Sequence, residues 1–386
     1  MTTIISGSSP SITFSDSTTQ TTAYQNSATV SVNAQNTFGF KNRIINGGMV
    51  IDQRNAGASV TITDTANYTY TLDRWAAYTY PTGSKFSVQQ SSTAPTGFIN
   101  SLKVTSLSSY SIGSSDIQVL KQAIEGLNVA DLAWGTANAK SITLSFWVYS
   151  TGLTYPATFG GSFTNNAFNR SYPFSYSITA GSTWQQISVT VAGDTSGTWL
   201  TTNASGINLS FGLGCGSTYS GTAGSWASAD YRSVTGATSV VGTSGATLYI
   251  TGVQVEVGTQ ATSFDFRDYG RELMLCQRYY FKTSSDAATL LGVGFIDSGT
   301  TFICQSSVPV PMRTSATLIT SGTASNYRLR WAGSQVNTCN AVPTINSTVG
   351  QFIRLDCSVA SGLTTGYGGF LIPNGTSCYL GYDAEL

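Results

Sequence analysis

The protein is a chain of 386 residues in which Asp, Glu, Lys and Arg together make up only 9%, against roughly a quarter in an ordinary soluble domain. Its 18 basic and 18 acidic side chains cancel, and no run of Lys or Arg supplies the footprint that nucleic-acid binding needs, so nucleic acid is not an expected partner. There is no His, which excludes Ser-His-Asp and Cys-His catalysis.

Taken in chain order, residues 1–38 are almost wholly Ser, Thr, Asn, Gln and Ala with isolated apolar positions such as Ile12, Phe14 and Tyr24. Such a segment buries too little surface to fold alone and reads as an extended arm that orders against a partner. From there the pattern becomes short strands broken by Gly, Ser and Asn clusters, expected at 59–63, 74–80, 85–90, 101–106, 141–150, 158–164, 172–178, 184–191, 207–213 and 247–257. Alternation is plain in Trp184-Gln-Gln-Ile-Ser-Val-Thr-Val and in Ile142-Thr-Leu-Ser-Phe-Trp-Val, so one face is core and the other is wet. Many short strands at this spacing predict a sandwich or jelly roll.

Residues 117–127 give conflicting signals. Ile117, Leu120, Ile124 and Leu127 recur with a helical period behind Asp116, which by itself argues for a helix. A strand through Glu125, followed by a short helical turn over 128–132, is nevertheless expected here, for a reason given with the resemblance below. The best candidate for a true helix is 271–280, with Leu273, Leu275 and Tyr279 able to face one side. Strands are expected again at 301–305, 315–320, 327–331, 351–359 and 378–386, while Val308-Pro-Val-Pro-Met-Arg313 rules out a central strand and suggests an edge.

The length allows two domains, each with a real core. No 18-residue apolar stretch exists and the start lacks a basic region followed by an apolar run, so neither a membrane span nor a secretory leader is expected. The six cysteines (Cys215, Cys276, Cys304, Cys339, Cys357 and Cys378) are widely spaced and contain no CxxC pair. They read as buried free thiols, with a disulfide among the last four as the alternative. Without His, a zinc site has no ligand cluster to draw on; neither metal nor cofactor is expected.

Two segments lying far apart, Phe40-Lys-Asn-Arg-Ile-Ile-Asn-Gly-Gly-Met49 onward to Arg54 and Leu248-Tyr-Ile-Thr-Gly-Val-Gln-Val-Glu-Val-Gly258, resemble the opening and closing strands of the jelly-roll modules of bacteriophage tail fibres and carbohydrate-binding modules. Residues 271–281 resemble the junction that follows in such fibre proteins, residues 12–23 their N-terminal attachment stretch, residues 118–125 the strand with a Gln-x-x-Glu pattern, and the ending Tyr379-Leu-Gly-Tyr-Asp-Ala-Glu-Leu386 their C-terminal knob. The resemblance implies an all-β chain: an attachment arm over 1–38, an antiparallel jelly-roll β-sandwich over 39–267, and a linker helix with a smaller C-terminal β domain over 268–386. It implies a virion protein, in a tail or capsid fibre assembled in the host cytoplasm, that adheres to a cell-surface glycan and contacts other virion proteins through residues 1–38. A homotrimer is expected on the same ground, with Leu273, Met274, Leu275, Tyr279 and Tyr280 at the interface. Many carbohydrate-binding jelly rolls hold a structural calcium between an acidic pair where this chain has Thr251-Gly252, leaving Glu256 and Asp52 as the oxygen ligands to consider.

Sugars stack their CH faces on Trp and Tyr rings and need amide, hydroxyl and guanidinium partners. The aromatics outside regular strand alternation are therefore the glycan candidates: Tyr155, Trp199, Trp226 and Tyr231, with Arg232 alongside. Trp226 and Tyr231 divide evenly between solvent-facing contact and loop anchoring, whereas Trp75, Trp147 and Trp184 sit in strands and are expected in the core. No pair of acids stands out within aromatic-rich loops, so the expectation is non-catalytic adhesion. The alternatives are a mainly structural decoration or fibre protein and a polysaccharide depolymerase with two carboxylates across a groove.

Overall fold

The computed structural model describes residues 12–13, 19–20, 40–283 and 290–386. The chain divides into two compact units, Met1–Lys41 and Asn42–Leu386. In the first, β1 (Ile12–Thr13) pairs antiparallel with β2 (Thr19–Gln20). Phe14, Tyr24 and most of the arm expected over 1–38 lie outside the described residues.

The second unit opens with two six-stranded antiparallel sheets packed as a jelly-roll sandwich. The first runs β11 (Ser171–Ile178), β10 (Ala157–Thr164), β13 (Ser205–Cys215), β8 (Ile117–Glu125), β5 (Trp75–Tyr80) and β4 (Thr69–Leu72). The second runs β12 (Gln185–Val191), β9 (Ile142–Thr151), β16 (Thr247–Val257), β7 (Ser101–Ser106), β6 (Phe86–Ser91) and β3 (Val60–Thr61), and β14 (Ser220–Gly221) and β15 (Ser233–Val234) form a separate parallel pair. Period-2 alternation directs Ile142, Leu144, Phe146 and Val148 of β9 inward. There they meet Trp75, Phe174, Tyr176 and Phe211 of the other sheet in one core.

The helical period over 117–127 loses to tertiary context. Every residue of β8 is buried, between β13 and β5 in the middle of its sheet. A helix of that period buries one stripe, whereas a central strand covered on both sides buries both faces. The polar residues are accommodated singly: Gln122 accepts from the Ile45 amide at 3.0 Å and donates to the Ile45 carbonyl at 2.9 Å. Two short 3-10 turns follow, Gly126–Asn128 and Ala130–Leu132.

Lys121, on the outward side of β8, is only 5% exposed, with its ammonium 4.1 Å from the Tyr68 ring centroid. Burial, then repulsion from Arg232 and Arg74, pushes its pKa from 10.5 down to about 7. Lys121 is therefore protonated in the unfolded chain and neutral in the folded one between those values. Stability should fall as pH drops from 10.5 to 7 and stay level below. Lys121→Met should flatten that slope in urea unfolding at pH 7 and 9.5; equal slopes for both proteins would refute the assignment.

Helix α1 (Tyr269–Gln277) begins two residues earlier than expected because the Asp268 carboxylate caps it, accepting from the Arg271 amide at 3.0 Å. It also ends earlier, since Tyr280 already belongs to β17 (Tyr280–Lys282). This corrects the interface expectation. Tyr279 and Tyr280 are 0% and 3% exposed within their own chain. Tyr279 donates to Glu125 at 2.5 Å and stacks beneath Arg74, and Tyr280 lies under Arg54. Leu273 and Leu275 pack half-buried beside Ile45, Ile51 and Cys276, which leaves Met274 as the exposed member of the five.

The C-terminal half holds a seven-stranded antiparallel sheet in the order β22 (Gln335–Thr338), β21 (Tyr327–Trp331), β25 (Gly368–Pro373), β18 (Gly292–Ile296), β19 (Thr301–Ser307), β24 (Phe352–Ser358) and β23 (Thr344–Val349). A three-stranded sheet of β17, β26 (Leu380–Asp383) and β20 (Thr317–Thr320) packs with it over a core that includes Phe302, Leu329, Leu355 and Tyr382. Residues 308–313 form no strand, at an edge or elsewhere. All six cysteines are free thiols, and the sulfurs of Cys304 and Cys357 lie 4.0 Å apart in this core. The chain end returns to the jelly roll, where Asp383 and Glu385 meet Arg54, Glu385 meets Arg74, and the Tyr70 hydroxyl donates to the Leu386 carbonyl at 2.6 Å. No helix among the described residues is long and apolar enough to cross a membrane.

Candidate functional site

The parity that sends Ile142, Leu144, Phe146 and Val148 of β9 inward sends Trp147 and Tyr149 outward. Both are half-buried and lie outside the sandwich core. Trp184, immediately before β12, is also half-buried, with its ring 5.3 Å from that of Tyr149. The expectation that Trp147 and Trp184 are core residues is therefore corrected; Trp75, at 1% exposure, is core. Tyr249 of β16 stands opposite Tyr149 with the two rings T-shaped at 5.2 Å. Lys103 of β7 stands opposite Tyr249, its ammonium 5.7 Å from the ring, and Gln89 of β6 is next in line. One lateral row on the outer face thus reads Tyr149, Tyr249, Lys103, Gln89.

Two residues along β9, Trp147 is paired with Gln186 and Thr251. The next residue, Gly252, adopts φ +61°, and a Cβ there would lie 2.7 Å from Phe98 Cζ and 3.0 Å from Trp147 Cδ1. Glycine at this position lets both rings close over the backbone. The Thr251 hydroxyl donates to the Asn100 carbonyl at 2.7 Å and ties the Phe98 loop to β16. Phe98 in turn packs on Phe264 and Phe266 at 5.1 and 5.3 Å. These three rings, with Gly48, Asn100, Asp265 and Tyr269, line a cavity of about 400 Å³, within the usual range for small-ligand sites. Phe266 and Tyr269 stay 65% and 63% exposed at its mouth. Arg267 is fixed beneath by the Asn42 and Ile44 carbonyls and by Glu272. The result is a continuous aromatic band that ends in a cavity.

The aromatics singled out from sequence occupy three other places. Tyr155 donates to Ser150 at 2.9 Å and lies against Gly181. Trp199 and Trp226 pack edge-on with Trp134 at 4.8 and 5.3 Å, and their indole N–H groups donate to the Ser196 and Ala192 carbonyls; their place is that of loop anchors. Tyr231 covers Gly221. Arg232 is 5% exposed, paired with Asp230, hydrogen-bonded to the Tyr68 hydroxyl at 3.0 Å and stacked on Phe168. Of the possible oxygen ligands, Glu256 accepts from the Thr262 amide and hydroxyl and from Gln254, and Asp52 accepts from the Asn55 and Gly57 amides. No group of three or more acidic or Cys side chains suited to a metal occurs among the described residues.

Sequence reasoning missed Tyr149, Tyr249 and Phe98 altogether. The wet parity of β9 was the available signal for Trp147 and Tyr149, since an aromatic on that parity cannot be core. The Phe98 to Phe266 contact, by contrast, spans a separation that carries no local pattern.

No protein-family model matches the sequence, and no curated protein matches it. Among solved structures, the chain is similar to a candidate sugar-binding protein from Bacteroides thetaiotaomicron at 10% identity and a TM-score of 0.33, covering 56% of this chain and all of that one. It is similar to the enzymatically active domain of tailspike protein 4 of bacteriophage CBA120 at 12% identity and a TM-score of 0.29, covering 56% of this chain but only 21% of that one. It is also similar to the CBM22-1 xylan-binding domain of Paenibacillus barcinonensis Xyn10C at 12% identity and a TM-score of 0.26, covering 54% of this chain and 99% of that one. At these scores the likeness decides nothing about ligand or partner.

Proposed function

We propose that this chain is a non-catalytic glycan-binding protein whose site is the outward aromatic band of the second jelly-roll sheet. The observation that carries the reading is the continuity of Trp184, Tyr149, Tyr249, Trp147 and Phe98 along one outer face, ending in the cavity of about 400 Å³. The half-buried rings of Trp184, Tyr149, Trp147 and Phe98 offer stacking surface to successive sugars, Tyr249, at 9% exposure, packs against Tyr149 within the row, and Lys103, Gln89, Gln186 and Asn100 supply hydrogen-bonding groups beside them. Glycosidic cleavage needs two carboxylates across the bond. The two acids lining the cavity, Asp265 and Glu272, both pair with the one guanidinium of Arg267, at 3.8 and 3.2 Å, rather than facing each other across a groove.

The setting follows from the sequence resemblance: a fibre protein of a phage particle, presented in several copies as a homotrimer, adhering to a host surface. Weak sites presented together gain avidity through effective concentration. Trp184→Ala and Tyr149→Ala should each weaken binding on an array of bacterial polysaccharides by roughly fivefold, the worth of about 1 kcal/mol of ring stacking, with an unchanged melting temperature. Trp226→Ala should do the reverse, lowering the melting temperature and sparing binding. Parent-like binding by both band variants would remove this reading and favour a mainly structural fibre protein.

A further inference from the structure

We propose that the outer face of the C-terminal seven-stranded sheet is a second, separate binding site, and that its ligand is a polyanionic glycan. One side of this sheet covers the core; the other is left exposed by the described residues. Val293, Phe295, Phe352 and Phe370 are 52%, 50%, 53% and 41% exposed there, a concentration of apolar side chains in water that marks an interaction surface.

Cross-strand register aligns one lateral row on this face: Arg330 opposite Phe370, Phe370 opposite Val293, Val293 opposite Gln305, and Gln305 opposite Arg354. Four strand-to-strand steps separate the two arginines, about 19 Å at the usual spacing. Between them lie two open hollows that share Val293, one of about 560 Å³ lined by Gln305 and Arg354, the other of about 290 Å³ lined by Arg330 and Phe370.

The charge is one-sided as well. Residues 290–386 contain four arginines and four acids. Arg313, Asp383 and Glu385 are taken inward: Arg313 donates to the Ala384 and Glu385 carbonyls, and the two acids pair with Arg54. The remaining arginines, Arg328, Arg330 and Arg354, all belong to the outward parity of this sheet, opposed there by Asp356, which accepts from Arg354 at 3.1 Å, and by the exposed Asp297 just past β18, so three cations face two acids. The face therefore joins apolar walls with a surplus of cations in a chain that is otherwise nearly uncharged.

That combination selects the occupant. A second copy docking through a two-fold axis would bring arginine rows together, a costly juxtaposition, and a threefold neighbour seated here is the self-association that Phe352→Asp would abolish in the test below. Nucleic acid requires a denser cationic track. A sugar chain bearing spaced anions satisfies both features, with its rings on Phe352, Phe295 and Phe370 and its anions on Arg354 and Arg330. The anion can be a uronate carboxylate or a phosphodiester, and the test separates them.

The full chain would be titrated calorimetrically with oligogalacturonate, with a glycerol-phosphate oligomer, with a neutral cello-oligosaccharide and with a single-stranded DNA of matched charge. At least one of the anionic oligomers should bind tenfold or more tighter than the neutral sugar, and the stronger of the two identifies the anion. Arg330→Gln and Arg354→Gln should each weaken that binding about tenfold, the value of one lost charged hydrogen bond. Trp184→Ala should leave it intact, so this result stands apart from the fate of the aromatic band. Three outcomes would each overturn the proposal: neither anionic oligomer binding better than the neutral sugar, DNA binding as tightly as the glycans, or self-association in sedimentation that disappears with Phe352→Asp.

Discussion

Glu385→Ala is expected to destabilise the protein by about 3–5 kcal/mol, the usual consequence of removing one partner from a buried ion pair. The Glu385 side chain is 4% exposed and accepts from Arg54 at 3.1 Å and from Arg74. The Arg74 side chain is 1% exposed and the Arg54 side chain 9%. Both guanidinium groups lie over tyrosine rings, Arg74 on Tyr279 at 3.5 Å and Arg54 on Tyr280 at 3.6 Å, so neither can turn into water without giving up that packing. Alanine at 385 would leave Arg74 with no carboxylate and Arg54 with Asp383 alone. Because this contact joins the chain end to the jelly roll, calorimetry should also show the unfolding transition of the parent separating into two. Glu385→Gln, which preserves shape and some hydrogen bonding, should fall between. A loss below about 1 kcal/mol with one unbroken transition would show that the halves are held together elsewhere.

Phe211→Ala should cost a similar 3–5 kcal/mol, by creating a cavity rather than by orphaning a charge. Phe211 is fully buried on β13, with its ring centroid 5.1 Å from Phe146, 6.2 Å from Phe174, 6.4 Å from Trp75 and 6.5 Å from Tyr176. It is thus the ring at which both sheets meet, and the neighbours are large, rigid side chains held by their own strands, which limits collapse into the space. Phe211→Leu should lose markedly less. Urea unfolding at constant m-value measures the difference. If alanine costs no more than leucine, the sandwich does not depend on this contact.

Much of the jelly roll was legible because half-buried strands carry their burial as a period of two. β9 and β12 announce themselves in this way, and β8 could be recovered only by setting the Gln-x-x-Glu likeness against a helical spacing that pointed elsewhere. In the C-terminal half the same reasoning weakened. No strand was expected over Gly292-Val-Gly-Phe or Gly368-Gly-Phe, yet in β18 and β25 Gly292, Gly294 and Gly369 sit where the facing backbone or the Cys304 and Trp331 side chains come within about 3 Å of a would-be Cβ. The exposed apolar partners Val293, Phe295 and Phe370 blur the alternation further. That sheet face, with its arginines, therefore left no local signature.

The sequence by itself determined the all-β class, most jelly-roll strands, the absence of a nucleic-acid footprint and of His chemistry, because composition and period are properties of neighbouring residues. Tertiary structure alone decided which aromatics face out together, that Trp147 joins Phe98 across Gly252, that Tyr279 and Tyr280 turn inward, and that Arg54 meets Glu385 across 331 residues. Such contacts are chosen by the register of strands and the closing of loops, whose free energy depends on what lies opposite in space, and a pattern confined to adjacent positions carries no record of that.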